Sequence, residues 1–297
     1  MKSGVYGYPV LMRAGLGNML VPWAKCVLWC KDNNVQMIAP FWTKLRVGPY
    51  LRRERDKRQY QRLFNHGDQI AGVRRAILLA VSRRIDESQL HWGGVPGGVR
   101  PVVVCFRSMQ GQHSLAERHA EVAEELRRIT NPRFMPAEVW ERPFVGIHVR
   151  LGDFAQASDG QLHVGAHNRR IPVQWYVEAL LELRRALGCQ LDARVFSDGG
   201  SEELQPLLRT PNTTRYAAGS AITELLALAK ASVVIASGSA FSMWASFLGS
   251  APTIWYPGQK FAMRSESAER RDVEWERGQS IDARFLQLIG RVDCDAP

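Results

Sequence analysis

Residues 144 to 256 alternate short apolar runs with amphipathic stretches, and this alternation leaves the chain few ways to fold. Phe144–Val149, Ala193–Phe196, Val233–Ala236 and Thr253–Tyr256 each read as a buried strand. Between them, Val173–Leu187, Glu202–Leu208, Ile222–Ala229 and Phe241–Leu248 carry apolar residues at helical spacing. Strands separated by helices do not pair as hairpins. They run parallel, joined by right-handed crossovers. A parallel sheet is covered on both faces, which is why these strand runs are mostly apolar rather than alternating.

The first part of the chain opens the same way. Val5–Met12 predicts a strand, Gly15-Leu16-Gly17-Asn18 a turn, Met19–Cys30 a helix and Val35–Ala39 a second strand. Ala71–Ile85 predicts a helix and Pro101–Phe106 a strand, and Ser114–Ile129 predicts a helix capped by Ser114 with Glu117 three residues on. Residues 91–98 form a glycine-rich loop and Asn131–Pro143 reads as a linker. The 297 residues therefore divide into a domain at 1–138 and a second at 139–297, each large enough to bury a core.

Charge narrows the partners. The formal net charge is +10, and arginine supplies 32 of the 39 basic residues. Such an excess reflects either genome composition or an anionic partner: nucleotide phosphate, phospholipid or nucleic acid. No helix-turn-helix, RNA-recognition or zinc pattern accompanies it, so nucleic acid is not expected. Arg52, Arg53, Arg55, Lys57, Arg58 and Arg62 crowd the stretch 50–64. That stretch reads as a solvated helix face, or as peripheral contact with a membrane or an acceptor, with Trp42, Tyr50 and Tyr60 able to stack on sugar rings. Five cysteines without a C-x-x-C pair, Cys26 and Cys30 being four apart on a helix, read as buried thiols in a reducing compartment. No signal-peptide core or membrane-length apolar run is found, so the expected location is cytoplasmic, with peripheral contact at the inner face of the membrane.

The segment with most chemistry is His148-Val149-Arg150-Leu151-Gly152-Asp153, where a buried strand becomes a loop. His148 and Arg150 share one face of the strand. In an open parallel sheet, ligands bind at the carboxyl ends of strands, where a guanidinium can grip a diphosphate with two N–H groups. An Arg–Asp pair closing a turn fits the residues equally well. The second segment runs from Ile222-Thr223-Glu224 to Ser237-Gly238-Ser239-Ala240-Phe241-Ser242, a helix with one carboxylate followed by a strand that ends in serines opening the next helix. Such a helix start can hold an anion, or the serines can simply cap it.

Four motifs together resemble the fucosyltransferase superfamily, and the bacterial α1,2-fucosyltransferases most. These are His148–Asp153 as His-x-Arg-x-Gly-Asp, Arg194-Val195-Phe196-Ser197-Asp198, the strand and serine turn leading to Phe241-Ser242-Met243-Trp244, and Gly15-Leu16-Gly17-Asn18. The resemblance implies a GT-B-type α/β fold: two Rossmann-like domains with mainly parallel sheets and a central cleft. It implies an inverting transfer of fucose from GDP-fucose to a glycan hydroxyl, the glycan being free or lipid-linked, with no metal and no other cofactor. Arg150 would hold the β-phosphate, His148 and Glu224 the guanosine, and Ser237 and Ser239 would flank the diphosphate. Asn18 would approach from the other domain. Asp153 and Asp159 are the candidate bases, with Asp198 behind them.

The chain departs from the family at Leu151, where many relatives have a second arginine, at Glu224 for an aspartate, and at Ala240 for a serine. A related transferase using another nucleotide sugar, or a nucleotide- or glycan-binding protein without turnover, are the alternatives.

Overall fold

The computed structural model describes residues 4–12, 14–42, 60–90, 100–109, 115–138, 140, 142–261, 263 and 271–289. Residues 50–59, with most of the basic stretch, lie outside the described residues, as do the 91–98 loop, Ser114 and Cys294. The chain divides into two compact units, Met1–Met135 and Pro136–Pro297.

In the first unit, β1 (Val5–Pro9), β2 (Gln36–Met37), β3 (Arg83–Asp86) and β4 (Val102–Phe106) form a parallel sheet in the order β2-β1-β4-β3. The helix Leu16–Asn33 follows β1 and starts at Gly15. It packs so tightly that a Cβ at Gly7 would lie 2.4 Å from Cys30 Sγ and 2.9 Å from Cys26 Sγ. Both thiols are buried and free, as is Cys105. Burial pushes the Cys26 thiol well up, so it is inert.

Several sequence expectations need correction in this unit. The helix expected at Ala71–Ile85 ends at Val81, and Arg83–Asp86 instead pairs with β4 as an edge strand. Charged residues on a short edge strand hide the period-two signal, since only Ile85 of its four residues is buried. The helix expected from Ser114 begins at His119. Trp42 and Tyr60, 1% and 2% exposed, cannot stack on a sugar. Trp42 packs instead against Trp23 and Phe64, with ring centroids at 6.2 and 4.0 Å.

The second unit holds a six-stranded parallel sheet: β5 (Phe144–Val149), β6 (Asp192–Ser197), β7 (Thr213–Arg215), β8 (Val233–Ala236), β9 (Thr253–Trp255) and β10 (Asp272–Glu274). Its order is β10-β9-β8-β5-β6-β7. Chain order therefore runs outward from β5 in one direction, then returns to β8 on the other side of β5. This is the doubly wound arrangement, with its switch point between β5 and β8. The edge strands β7 and β10 were not anticipated. Each has three residues, too few to show a period.

Both faces of β5 are filled, which explains its six consecutive buried residues. Val145, Ile147 and Val149 join Trp175, Tyr176, Ala179, Leu180 and Leu183 of the helix Val173–Leu187 in one core cluster. On the opposite face Gly146 lets the helix Ala221–Leu228 approach, since a Cβ there would lie 2.5 Å from Leu228 Cδ1 and 2.8 Å from Ala231 Cβ. Arg184, 1% exposed, donates to the carbonyls of Leu191, Pro211 and Asn212 ahead of β6 and β7. It thereby pairs backbone acceptors that burial would otherwise leave without donors. Cys189 is disulfide-bonded, which corrects the expectation that every cysteine is a thiol.

Gly146→Ala should overpack this contact and cost about 1–3 kcal/mol. In a chain of this size that lowers Tm by roughly 2–4 °C per kcal/mol. Thermal unfolding followed by circular dichroism measures it, and an unchanged Tm would contradict the packing described.

Candidate functional site

The carboxyl end of β5 delivers His148 and Arg150 to the switch point. His148 is 5% exposed and its ring stacks on Phe241, with centroids 4.8 Å apart. Its Nδ1 lies 2.9 Å from Ser237 Oγ, 2.8 Å from Ser242 Oγ and 3.4 Å from Ser239 Oγ. The serines are bonded to one another as well: Ser237 Oγ is 2.9 Å from Ser239 Oγ and 3.1 Å from Ser242 Oγ. Burial, with the nearby Arg150 charge, lowers the His148 pKa to about 3 against a weaker opposing effect of Asp198. The imidazole is therefore neutral at physiological pH, and hydroxyls, which both donate and accept, suit it.

Of the two readings of the serine turn, capping accounts for Ser239. Its side chain accepts from the Ser242 N–H at the start of the helix Ala240–Gly249. Ser237 is not a cap. Its backbone N–H donates to Ser242 Oγ at 3.0 Å, and its own hydroxyl reaches His148. Ser242, which the sequence reading left without a role, is the hub of the cluster and is completely buried.

Arg150 reaches the other way. Its Nη1 lies 2.8 Å from Asp198 Oδ2 and its Nη2 donates to Asp153 Oδ1 at 2.7 Å, while the guanidinium carbon stands 5.5 Å from the Phe154 ring centroid. Asp198, at the end of β6, also accepts from the Leu151 N–H at 2.9 Å. A Cβ at Gly152 would come within 2.4 Å of Asp198 Oδ2, so the close turn requires glycine there. The Arg–Asp pairing and the exposed guanidinium coexist: two of five N–H donors are used, and the side chain keeps 29% of its exposure.

The other candidates are spread around the same unit. Glu224 sits in the first turn of its helix, close enough to Tyr216, which follows β7, to help raise that phenol's pKa together with burial and Glu138. Tyr216 in turn packs on Phe196 and Trp140, with centroids at 5.0 and 5.7 Å. Asp159 opens the short helix Asp159–His163 and its Oδ1 accepts from Tyr256 OH at 3.0 Å. Asn18 stands half-buried in the first turn of Leu16–Asn33, in the first unit.

Two arginines beside Arg150 were not singled out from sequence. Arg170 donates to the Phe154 and Gly152 carbonyls and pairs with Glu203 at 3.0 Å. Arg215 donates to the Ser197 and Gly199 carbonyls. Arg170 lies in the same segment between β5 and the helix Val173–Leu187, whereas Arg215 closes β7 and is brought there by the sheet topology. Among the described residues, no group of three or more His, Cys, Asp or Glu could hold a metal ion.

Three comparisons bear on this arrangement. The model of Glycosyl transferase family 11 matches residues 115–275. No curated protein matches the sequence. Among solved structures, NodZ alpha-1,6-fucosyltransferase soaked with GDP-fucose is 14% identical, with a TM-score of 0.53 over 84% of this chain and 94% of that one. Fucosyltransferase NodZ from Bradyrhizobium is 13% identical, with a TM-score of 0.52 over 87% and 97%. POFUT1 in complex with GDP is 15% identical, with a TM-score of 0.48 over 86% and 98%. At these identities the NodZ likeness speaks for the fold, two parallel-sheet units of the GT-B type.

The burial of neutral His148 couples to pH. The unfolded chain protonates this residue near pH 6.5 while the folded chain resists until about pH 3. The unfolded state therefore binds the extra proton in between, and the contribution to stability is complete above about pH 6.5 and declines as pH falls. Urea unfolding at about pH 7.5 and about pH 5 should show a steeper loss of stability for the wild type than for His148→Gln. Equal slopes would mean that His148 is not held neutral.

Proposed function

The chain belongs to glycosyl transferase family 11, and we propose that it transfers fucose from GDP-fucose to a glycan hydroxyl, with inversion and in an α1,2 linkage. One observation carries this reading: Arg150, His148 and the Ser237–Ser239–Ser242 cluster meet at the switch point of the sheet. A diphosphate sugar suits that place, because such crevices take phosphates at helix starts and strand ends. The NodZ structure soaked with GDP-fucose supports the choice of donor.

Arg150 does the main work in this reading. Departure of GDP puts negative charge on the β-phosphate, and a guanidinium already fixed by Asp198 and Asp153 meets that charge without reorganising. The reaction then needs no metal ion. The neutral imidazole of His148 and the serine hydroxyls supply hydrogen bonds to the donor without adding repulsion. Glu224 can accept from both N1–H and N2–H₂ of guanine, beside the Tyr216 ring. Asn18 belongs to the other unit and is assigned to the donor on the motif alone.

The acceptor proton passes to Asp153 or Asp159. Asp153 is tied to Arg150, and Asp159 is exposed and held by Tyr256. Asp153→Asn should loosen Arg150 and weaken GDP binding as well as turnover. Asp159→Asn should lower kcat with little change in GDP affinity. Both variants matching wild-type kcat would place the base elsewhere.

Release of GDP from GDP-fucose, with and without oligosaccharide acceptors, tests the activity directly. Arg150→Ala should lower kcat by about 100-fold or more, and Arg150→Lys should recover little because the planar fork is lost. GDP at about 100 times its Kd should add about 2.7 kcal/mol of stability, unaffected by EDTA. UDP should add less, and Glu224→Gln should narrow the difference. Equal stabilisation by UDP and GDP would overturn the guanosine assignment.

A further inference from the structure

The helix Gly72–Val81 lies in the first unit, and its outward face is apolar. Its inner side is ordinary: Leu78 is buried, and Leu79 packs on the small cluster of Ile38, Ile70, Val103 and Cys105. The opposite side should be polar, since a helix apolar all round is normally enclosed. Instead Val73, Ile77 and Val81 repeat every four residues and are 77%, 55% and 52% exposed. Ala76 and Ala80 between them are exposed as well.

The borders of this face carry one sign of charge. Ala71 to Ile85 contains Arg74, Arg75, Arg83 and Arg84 and no acidic residue. Among the described residues none of the four is in an ion pair. Arg74 donates to Gln36 Oε1, Arg75 to the Ala39 carbonyl and Arg84 to the Leu79 carbonyl. Arg75 also stacks at 3.6 Å on the ring of Phe41, itself 48% exposed. The nearest acids in sequence are engaged elsewhere: Asp68 pairs with Arg128, Asp86 caps the Ser88 N–H, and Glu87 pairs with Lys25 and accepts from the Arg107 N–H.

We propose that this face docks on an anionic lipid surface, with Val73, Ile77 and Val81 entering the headgroup boundary and the arginines pairing with phosphates. An apolar stripe with a basic border is the pattern of a helix lying in a membrane interface. A second copy of the chain fits less well. A ten-residue helix is only about 15 Å long, short for an interface that usually buries about 1,200–2,000 Å². Two copies meeting at this face would also oppose their arginine borders. The inference does not depend on the transfer reaction, and nothing in its test requires turnover.

Sedimentation of the full chain with vesicles is the experiment. The protein should bind equimolar phosphatidylglycerol–phosphatidylcholine vesicles and not phosphatidylcholine alone. Ile77→Asp should reduce binding at least about tenfold, and neutralising Arg74, Arg83 and Arg84 should reduce it by about fivefold per charge. Val73→Ser with Val81→Ser gives a milder second variant should Ile77→Asp disturb folding, with Tm as the control. Wild-type binding by these variants at unchanged Tm, or equal binding to both vesicle types, would overturn the proposal. So would a dimer, seen by light scattering, that Ile77→Asp dissolves in a chain that binds neither vesicle.

Discussion

The contact between Arg150 and Asp198 joins the two strand ends on which the site is built. Arg150 closes β5 and Asp198 closes β6, so the pair at 2.8 Å fixes one loop against the other. A second bond reinforces it, from the Leu151 N–H to the other oxygen of the same carboxylate. Both side chains are about a quarter exposed, so solvent screening keeps the pair's contribution to stability small. Its importance is geometric. It holds the guanidinium in one orientation, limits the rotamers Arg150 would have to give up on binding an anion, and requires Gly152 beside it.

Opposite this charged contact, on the β8 side of the same strand, lies a cluster with no net charge. His148 is neutral because it is buried and close to Arg150, and three serine hydroxyls surround its Nδ1. In the proposed donor site the two halves would divide the work of holding a diphosphate. One supplies a fixed positive charge, and the other supplies hydrogen bonds whose direction can reverse as hydroxyl protons rotate. Had His148 carried a charge, it would have repelled Arg150 across the strand. Burial thus lets a histidine and an arginine occupy one face two residues apart.

Much of this is legible in the sequence. The central strands β5 and β8 read from sequence with their observed bounds because burial on both sides makes them mostly apolar, and the helix Val173–Leu187 does so through its amphipathic spacing. The edge strands β3, β7 and β10 do not. They are short, partly polar and stabilised by a neighbour that sequence does not display. The same distinction holds in the site. His148, Arg150 and Ser237 announce themselves by lying at strand ends, whereas Ser242, Arg215 and Tyr216 acquire their places only when crossovers bring distant segments together. Trp42 and Tyr60 mislead for the opposite reason, since an aromatic beside basic residues looks like a surface platform until its burial is known.

Leu151, inside the His148–Asp153 segment, is 4% exposed and belongs to the core cluster of the second unit. It leans against Gly199, where a Cβ would lie 2.4 Å from Leu151 Cδ1. The two positions therefore share one volume. An arginine placed at 151 would turn outward and leave a hollow above the glycine, and a larger residue at 199 would be excluded while leucine remains. Positions 151 and 199 therefore constrain each other, and a change at one without the other leaves the pair worse packed.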